Sequence, residues 1–195
     1  MEVRDKKHII TIGGMLGSGK SSTAKLVAER LSYRHYSAGD VMRQLGKEQG
    51  IKDIRAFNLA SEGKKDFDYH VDERTKLIGE TDDRLVFDGH MAWRFIPQSF
   101  RVFLHLDETI AAIRILNNMD ESRRVSEHIS GDTDEYADFL RERKASNMRR
   151  YADLYETNPY VEKHYSFVVD TSQFSLDEVS GIIIDAYHKW FTGTR

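Results

Sequence analysis

Apolar segments alternate with amphipathic ones along the whole chain. His8-Ile9-Ile10-Thr11-Ile12 is a short β-branched run closed by Gly13-Gly14, the pattern of a buried strand. Residues from about 19 to 32 place Leu26, Val27 and Leu31 at helical spacing. Tyr33 to Tyr36 reads as a second short strand, Arg84 to Asp88 and Arg101 to Asp107 as two more, and Ser166 to Asp170 as a fifth. Residues from about 38 to 80 are helical and polar, broken near Gly50 and Gly63. A second long helical stretch follows Asp107, with a polar break from about Asn117 to Asp134. Ser175-Leu176-Asp177-Glu178 has the spacing of a capping box and opens a last helix through Trp190. Strands separated by helices predict parallel pairing and a helix-covered α/β sheet. The two interruptions, near 40–80 and 117–134, are expected to be insertions in one domain.

Composition narrows the chemistry. None of the 195 residues is cysteine, which excludes disulfides, a thiolate nucleophile and cysteine-ligated metal sites. The net charge of −3 makes the molecule as a whole no binder of nucleic acid polymers, so any grip on phosphate must be local. One such local cluster exists: residues 140–155 carry five positive and two negative side chains, a net +3. No apolar run approaches the roughly 20 residues that span a bilayer. The short apolar run near the N-terminus reads as a strand and not as a signal peptide, so a cytoplasmic protein without membrane partners is expected.

The strongest signal is Gly14-Met15-Leu16-Gly17-Ser18-Gly19-Lys20-Ser21, a full match to G-x-x-x-x-G-K-[ST] between a strand and a helix. Glycines let the backbone curl so that its N–H groups face phosphate oxygens, and the helix N-terminus adds positive charge. In such a loop Lys20 reaches the β- and γ-phosphates and the Ser21 hydroxyl ligates Mg²⁺, with Ser22 next in line. This predicts a three-layer P-loop fold with a five-stranded parallel sheet, binding a nucleotide with Mg²⁺. The motif does not name the reaction. The N-K-x-D motif of GTPases is absent. Asp107-Glu108 ends an apolar strand as in motor ATPases, but Asp107 is also placed to cap the next helix. Asp88, ending Val86-Phe87-Asp88-Gly89, is the better carboxylate to hold the Mg²⁺ water shell or orient an acceptor.

Further segments carry a resemblance. Ser37-Ala38-Gly39-Asp40-Val41-Met42-Arg43 is similar to the S-[TA]-G-D-x-x-R segment of nucleoside monophosphate kinases. The pair Phe57-Asn58, the segment Asp68-Tyr69-His70-Val71-Asp72-Glu73-Arg74, the run Glu142-Arg143, Ser146, Arg150-Tyr151 and Tyr155, and the segment Asp170-Thr171-Ser172 resemble, in order, the cytidylate kinase-like branch of archaea and some bacteria. The resemblance spans about residues 8 to 190. It implies one P-loop kinase domain over 1–195, with a helical acceptor-binding insertion at 38–80 and a short lid at about 114–150.

It also implies transfer of the γ-phosphoryl of ATP to a nucleoside monophosphate, CMP or dCMP in this branch. Lys20, Arg143 and Arg150 are then the catalytic cations. Arg143, Asn147 and Arg150 share one helix face. Arg43 holds the acceptor phosphate with its guanidinium fork. Ser37, Asp40, Asp72, Arg74, Asp88 and Gly89 shape the acceptor pocket, and Arg114 stacks on adenine. Arg141 and Arg149 are weaker members of the cluster. Two departures stand out. His90 takes the place of the arginine that usually follows the glycine of the third-strand segment, with Arg94 four residues on as its substitute. His90 is then a pH-sensitive phosphate ligand or a satisfied loop histidine. The lid entrance carries Asn117-Asn118-Met119 where the family is more basic. Alternatives are a kinase for AMP or a metabolite hydroxyl, or an ATP-dependent switch without kinase activity. Either way the partners are nucleotides, and a monomer or weak homodimer is expected.

Overall fold

A computed structural model describes residues 6–48, 50, 65–118 and 132–193 of the chain, and the side chains of Arg43 and residues 65–67 lie outside the described set. Five strands form one all-parallel sheet in the order β2-β3-β1-β4-β5. They are β1 (Ile9–Gly14), β2 (Arg34–Ser37), β3 (Leu85–Asp88), β4 (Phe100–His105) and β5 (Phe167–Asp170). Among the described residues the α-helices are α1 (Lys20–Leu31), α2 (Ala38–Glu48), α3 (Lys65–Thr81), α4 (Ala92–Phe95), α5 (Glu108–Asn118), α6 (Thr133–Tyr155) and α7 (Leu176–Thr192).

The central strand β1 is buried along its whole length, which is why its sequence is an almost unbroken apolar run. Alternate side chains feed two faces. On one, Ile10, Ile12, Val86, Val102 and Leu104 pack with Ala24 and Val27 of α1 and Val179, Ile183 and Tyr187 of α7. On the other, Ile9, Leu85 and Phe87 meet Val41 of α2, Val71 of α3 and Ile96, while Phe103 meets Ala111, Leu116 and Leu140 of α5 and α6. The expected three-layer α/β/α architecture is therefore observed. The described parts of 38–80 share a core with the sheet through Val41 and Val71.

Boundaries shift by a residue or two from the sequence pattern. Arg84 adopts φ 54° and precedes β3 rather than belonging to it. The second strand begins at Arg34, because Ser32 closes α1 in a left-handed conformation and Tyr33 is still in the turn. Ser175 and Glu178 form the reciprocal capping box. Phe57-Asn58, Gly63 and most of the 117–134 break, Met119 included, lie outside the described residues.

The chain lays β3 on one side of β1 and β4 on the other. In open α/β sheets ligands sit outside the carboxyl ends of the strands at such a switch point. Gly14, Asp88 and His105 end the three strands there.

Candidate active site

The loop from Gly14 to Ser21 leaves β1 at the switch point and opens α1. Gly14 has φ 145°, and a Cβ there would collide with the carbonyl oxygen of Leu104. Gly19, at φ 81°, caps α1 in the left-handed region that favours glycine. The Met15 N–H donates to the Leu104 carbonyl at 2.9 Å and the Ser18 hydroxyl to the Met15 carbonyl at 2.8 Å, which pins the curl. Leu16 and Gly17 are half-buried and Ser22 is exposed on the first turn of α1.

Lys20 Nζ reaches back across this loop, donating to the carbonyls of Gly14 at 3.2 Å and Met15 at 2.7 Å. Burial pulls its pKa down to about 8, opposed by the Asp88 charge and assisted by Arg143. A cation held this way is short of counter-charge, and an incoming phosphate would supply it.

Asp88 is the hub of the site. In the parallel register it lies level with Ile12 on one side and Ser37 on the other. The residue is 5% exposed and its carboxylate takes three side-chain bonds. Ser21 Oγ donates to Oδ2 at 2.7 Å, Ser37 Oγ donates to Oδ2 at 3.3 Å, and His35 Nε2 lies 2.7 Å from Oδ1. Ser37 Oγ in turn accepts the Gly39 N–H at 3.2 Å at the start of α2, where Asp40 lies in the first turn. The Ser21 hydroxyl and the Asp88 carboxylate are adjacent hard oxygens beside a helix N-terminus, a donor set that fits Mg²⁺. Among the described residues no group of three or more His, Asp or Glu forms a metal cage. A magnesium ion here would therefore take most of its ligands from phosphate and water, as this ion commonly does.

His90 follows Gly89 at the end of β3. Its ring lies 5.4 Å from that of Tyr160 and 6.3 Å from that of Tyr151, centroid to centroid. Nδ1 is buried and has no hydrogen-bond partner among the described residues. Burial, then Lys20, Arg143 and Arg150, push the imidazole pKa well below 6.5. His90 is thus neutral at physiological pH. Its unpartnered Nδ1 departs from the satisfied loop histidine, and a neutral imidazole can still donate a hydrogen bond to phosphate.

Helices α3 and α6 face one another across the rim. Arg150 donates through Nε to Asp68 Oδ2 at 3.0 Å and through Nη2 to Oδ1. One turn along α3, Asp72 Oδ2 accepts the Tyr155 hydroxyl. Burial and the neighbouring Asp68 charge push the Asp72 pKa up to about 8, against the pull of Arg150 and Arg94. Arg143 is exposed on the same stripe, and Asn147 donates to the Tyr160 hydroxyl at 3.0 Å. Lys144 ties α6 to α5 through Glu108 at 2.7 Å.

Other expected site residues sit further out. Arg74 is exposed and about 200° around α3 from Asp72, so the structure does not bring the two together. Arg94 is exposed and lies 5.8 Å above the Tyr155 ring. Arg114 donates to the carbonyls of Thr171 at 2.7 Å and Ser172 at 3.0 Å, which ties α5 to the segment after β5. Arg141 pairs with Asp138, and Arg149 is exposed. The Arg43 side chain lies outside the described residues. Asp107 Oδ1 accepts the N–H groups of Thr109 at 2.8 Å and Ile110 at 3.4 Å, so it caps α5.

His35, Asp68, Tyr155 and Tyr160 were not among the expected site residues. His35 had a signal: it precedes Ser37 by two and shares its side of β2. Asp68 and Tyr155 appeared only as letters of the resemblance, and Tyr160 had no signal.

The profile of the cytidylate kinase-like family matches residues 9–173. The cytidylate kinase of Methanocaldococcus jannaschii is 30% identical over 182 residues, covering 91% of this chain and 96% of that protein. An S-adenosylmethionine-dependent nucleotide dehydratase of Lacinutrix mariniflava is 28% identical over 185 residues, 94% of this chain. This chain spans only 36% of that protein's length. Shikimate kinase from Bacteroides thetaiotaomicron shares the fold with a TM-score of 0.62 at 14% identity, over 91% of this chain and 97% of that one.

Proposed function

Because the chain belongs to the cytidylate kinase-like family, we propose that it transfers the γ-phosphoryl group of ATP to a nucleoside monophosphate, with CMP or dCMP as acceptor, releasing ADP and the nucleoside diphosphate. The observation that carries this reading is the position of Asp88. Its one carboxylate touches Ser21 of the phosphate loop and Ser37 of the segment assigned to the acceptor. Donor and acceptor would meet across it.

Phosphoryl transfer of this kind needs little covalent chemistry from the protein, since the loose transition state is stabilised by position and charge. In this reading Lys20 exchanges its loop carbonyls for β- and γ-phosphate oxygens. Ser21 and Asp88 would hold Mg²⁺, Asp88 through water, and the ion would supply neutralisation of phosphate charge when bound with ATP. Arg143 and Arg150 face the transferring group, and Arg43 clamps the acceptor phosphate. Arg114, fixed by the Thr171 and Ser172 carbonyls, borders adenine. The insertion at 38–80 and the lid at about 114–150 close over the substrates and exclude water.

A coupled assay of ADP formation with CMP, dCMP, UMP, AMP and GMP tests the reading. CMP or dCMP should stimulate turnover most, and Lys20→Ala should abolish it while the circular dichroism spectrum stays native. Turnover unmoved by every acceptor would sink it. A second reading, a kinase for another acceptor such as AMP or a metabolite hydroxyl, draws on the neutral His90, which leaves one cation fewer where the family usually has arginine. AMP outperforming CMP would favour it. The switch reading loses its best feature, since Asp107 is engaged in capping α5.

A further inference from the structure

Asp88 has more polar partners than the phosphate loop and the acceptor segment supply. Its Oδ1 is the atom that neither serine touches, and His35 Nε2 takes it at 2.7 Å. The pair is largely shielded, with 17% of the His35 side chain and 6% of the Asp88 side chain exposed. A buried carboxylate oxygen left without a partner is costly, and a carboxylate held at one oxygen only is free to turn. The strand register explains the reach. Ser37 lies level with Asp88, and His35 stands two residues earlier on the same side of β2. The contact spans 53 residues of sequence and ties an edge strand to the centre of the site.

We propose that His35 is a positioning residue of the magnesium–nucleotide site: it clamps Oδ1 of Asp88 so that Oδ2 stays on Ser21, where the hydroxyl and carboxylate receive the metal of a bound nucleotide. The inference rests on the proposed use of ATP with Mg²⁺, and not on which acceptor is phosphorylated. Partners one shell removed from a metal commonly change its affinity by about ten- to a hundred-fold when removed.

The test is binding of ATP to the full chain by calorimetry, once with Mn²⁺ standing in for Mg²⁺ and once in EDTA, with no acceptor present. The ratio of the two affinities is the gain due to the metal. His35→Phe should cut that gain about ten-fold or more, with metal-free ATP affinity unchanged within about two-fold. His35→Gln, whose amide places an N–H near the lost Nε2, should restore most of it. Asp88→Asn should show the same loss as His35→Phe, and the double variant no further loss. If His35→Phe does not fold, His35→Ala carries the same expectation. An unchanged metal gain, or equal losses with and without metal, would overturn the proposal, as would a wild-type protein with no metal gain. Because no acceptor takes part, a chain inert towards every monophosphate can still show the His35 effect, which separates this proposal from the kinase reading.

Discussion

Arg150 and Asp68 meet as a two-point ion pair between α6 and α3, with Nε on Oδ2 at 3.0 Å and Nη2 on Oδ1. The side chains are 18% and 10% exposed, so neither charge is well served by water once the other is gone. Breaking a buried pair from one side leaves an uncompensated charge and typically costs about 3 kcal/mol or more. Asp68→Asn should therefore lower the free energy of unfolding by about 2–4 kcal/mol in urea titrations. Asp68→Asn combined with Arg150→Met should recover part of that loss, because no lone charge remains buried. A single variant as stable as wild type would show that the pair is loose in solution. Arg150→Lys should behave like a broken pair, since an ammonium cannot make two parallel bonds with a fixed fork.

Arg143 provides the contrast. It lies on the same stripe of α6 but is exposed. Surface substitutions of this kind usually change stability by less than about 0.5 kcal/mol. Arg143→Ala should accordingly keep its melting temperature, yet lose phosphoryl transfer by about a hundred-fold if it faces the transferring group. Steady-state kinetics and a thermal melt on the same preparation check both halves. Full activity would remove Arg143 from the proposed catalytic set and leave its charge as a solvated face.

The sequence carried the fold better than the site. Strands β1, β3 and β4 were visible because burial on both faces demands apolar runs, and the phosphate loop was visible because glycine conformations and the fixed spacing of the motif leave few alternatives. Strand neighbours were not visible. Nothing in the run Arg34 to Ser37 says that β2 lies beside β3, so the bond from His35 to Asp88 could be read only once the register was known. The same holds for Arg150 and Asp68, which lie 82 residues apart. Both residues were noticed as parts of a pattern, but their bond depends on how α3 and α6 pack. His90 shows a different limit. Its neutral state comes from burial together with Lys20, Arg143 and Arg150, and only the folded chain brings those cations to it.

The reversed protonation states of Asp72 and His90 make opposite contributions to stability. Asp72 binds its proton up to about pH 8 when folded, while its unfolded value is near 3.8. Between these values the native state holds the extra proton. The stability from Asp72 is therefore complete below the unfolded value and is lost as the pH rises towards about 8. His90 is neutral when folded and titrates near 6.5 when unfolded. There the unfolded state holds the extra proton, so the stability from His90 is present above pH 6.5 and lost as the pH falls below it. Each group acting alone sets a slope of at most about 1.4 kcal/mol per pH unit. Below pH 6.5 the two slopes oppose one another; above 6.5 that of Asp72 remains, and near pH 8 it meets an opposing slope from Lys20, whose folded value of about 8 lies below its unfolded 10.5. Asp72→Asn, which can still accept the Tyr155 hydroxyl bond, should remove the decline in stability expected of wild type above pH 6.5. His90→Gln should leave that decline in place and weaken the loss on the acid side. Urea titrations at intervals from pH 5 to 8.5 read both effects. A wild-type decline above pH 6.5 that survives Asp72→Asn unchanged would mean that Asp72 is ionised in the native state, with Arg150 and Arg94 outweighing its burial.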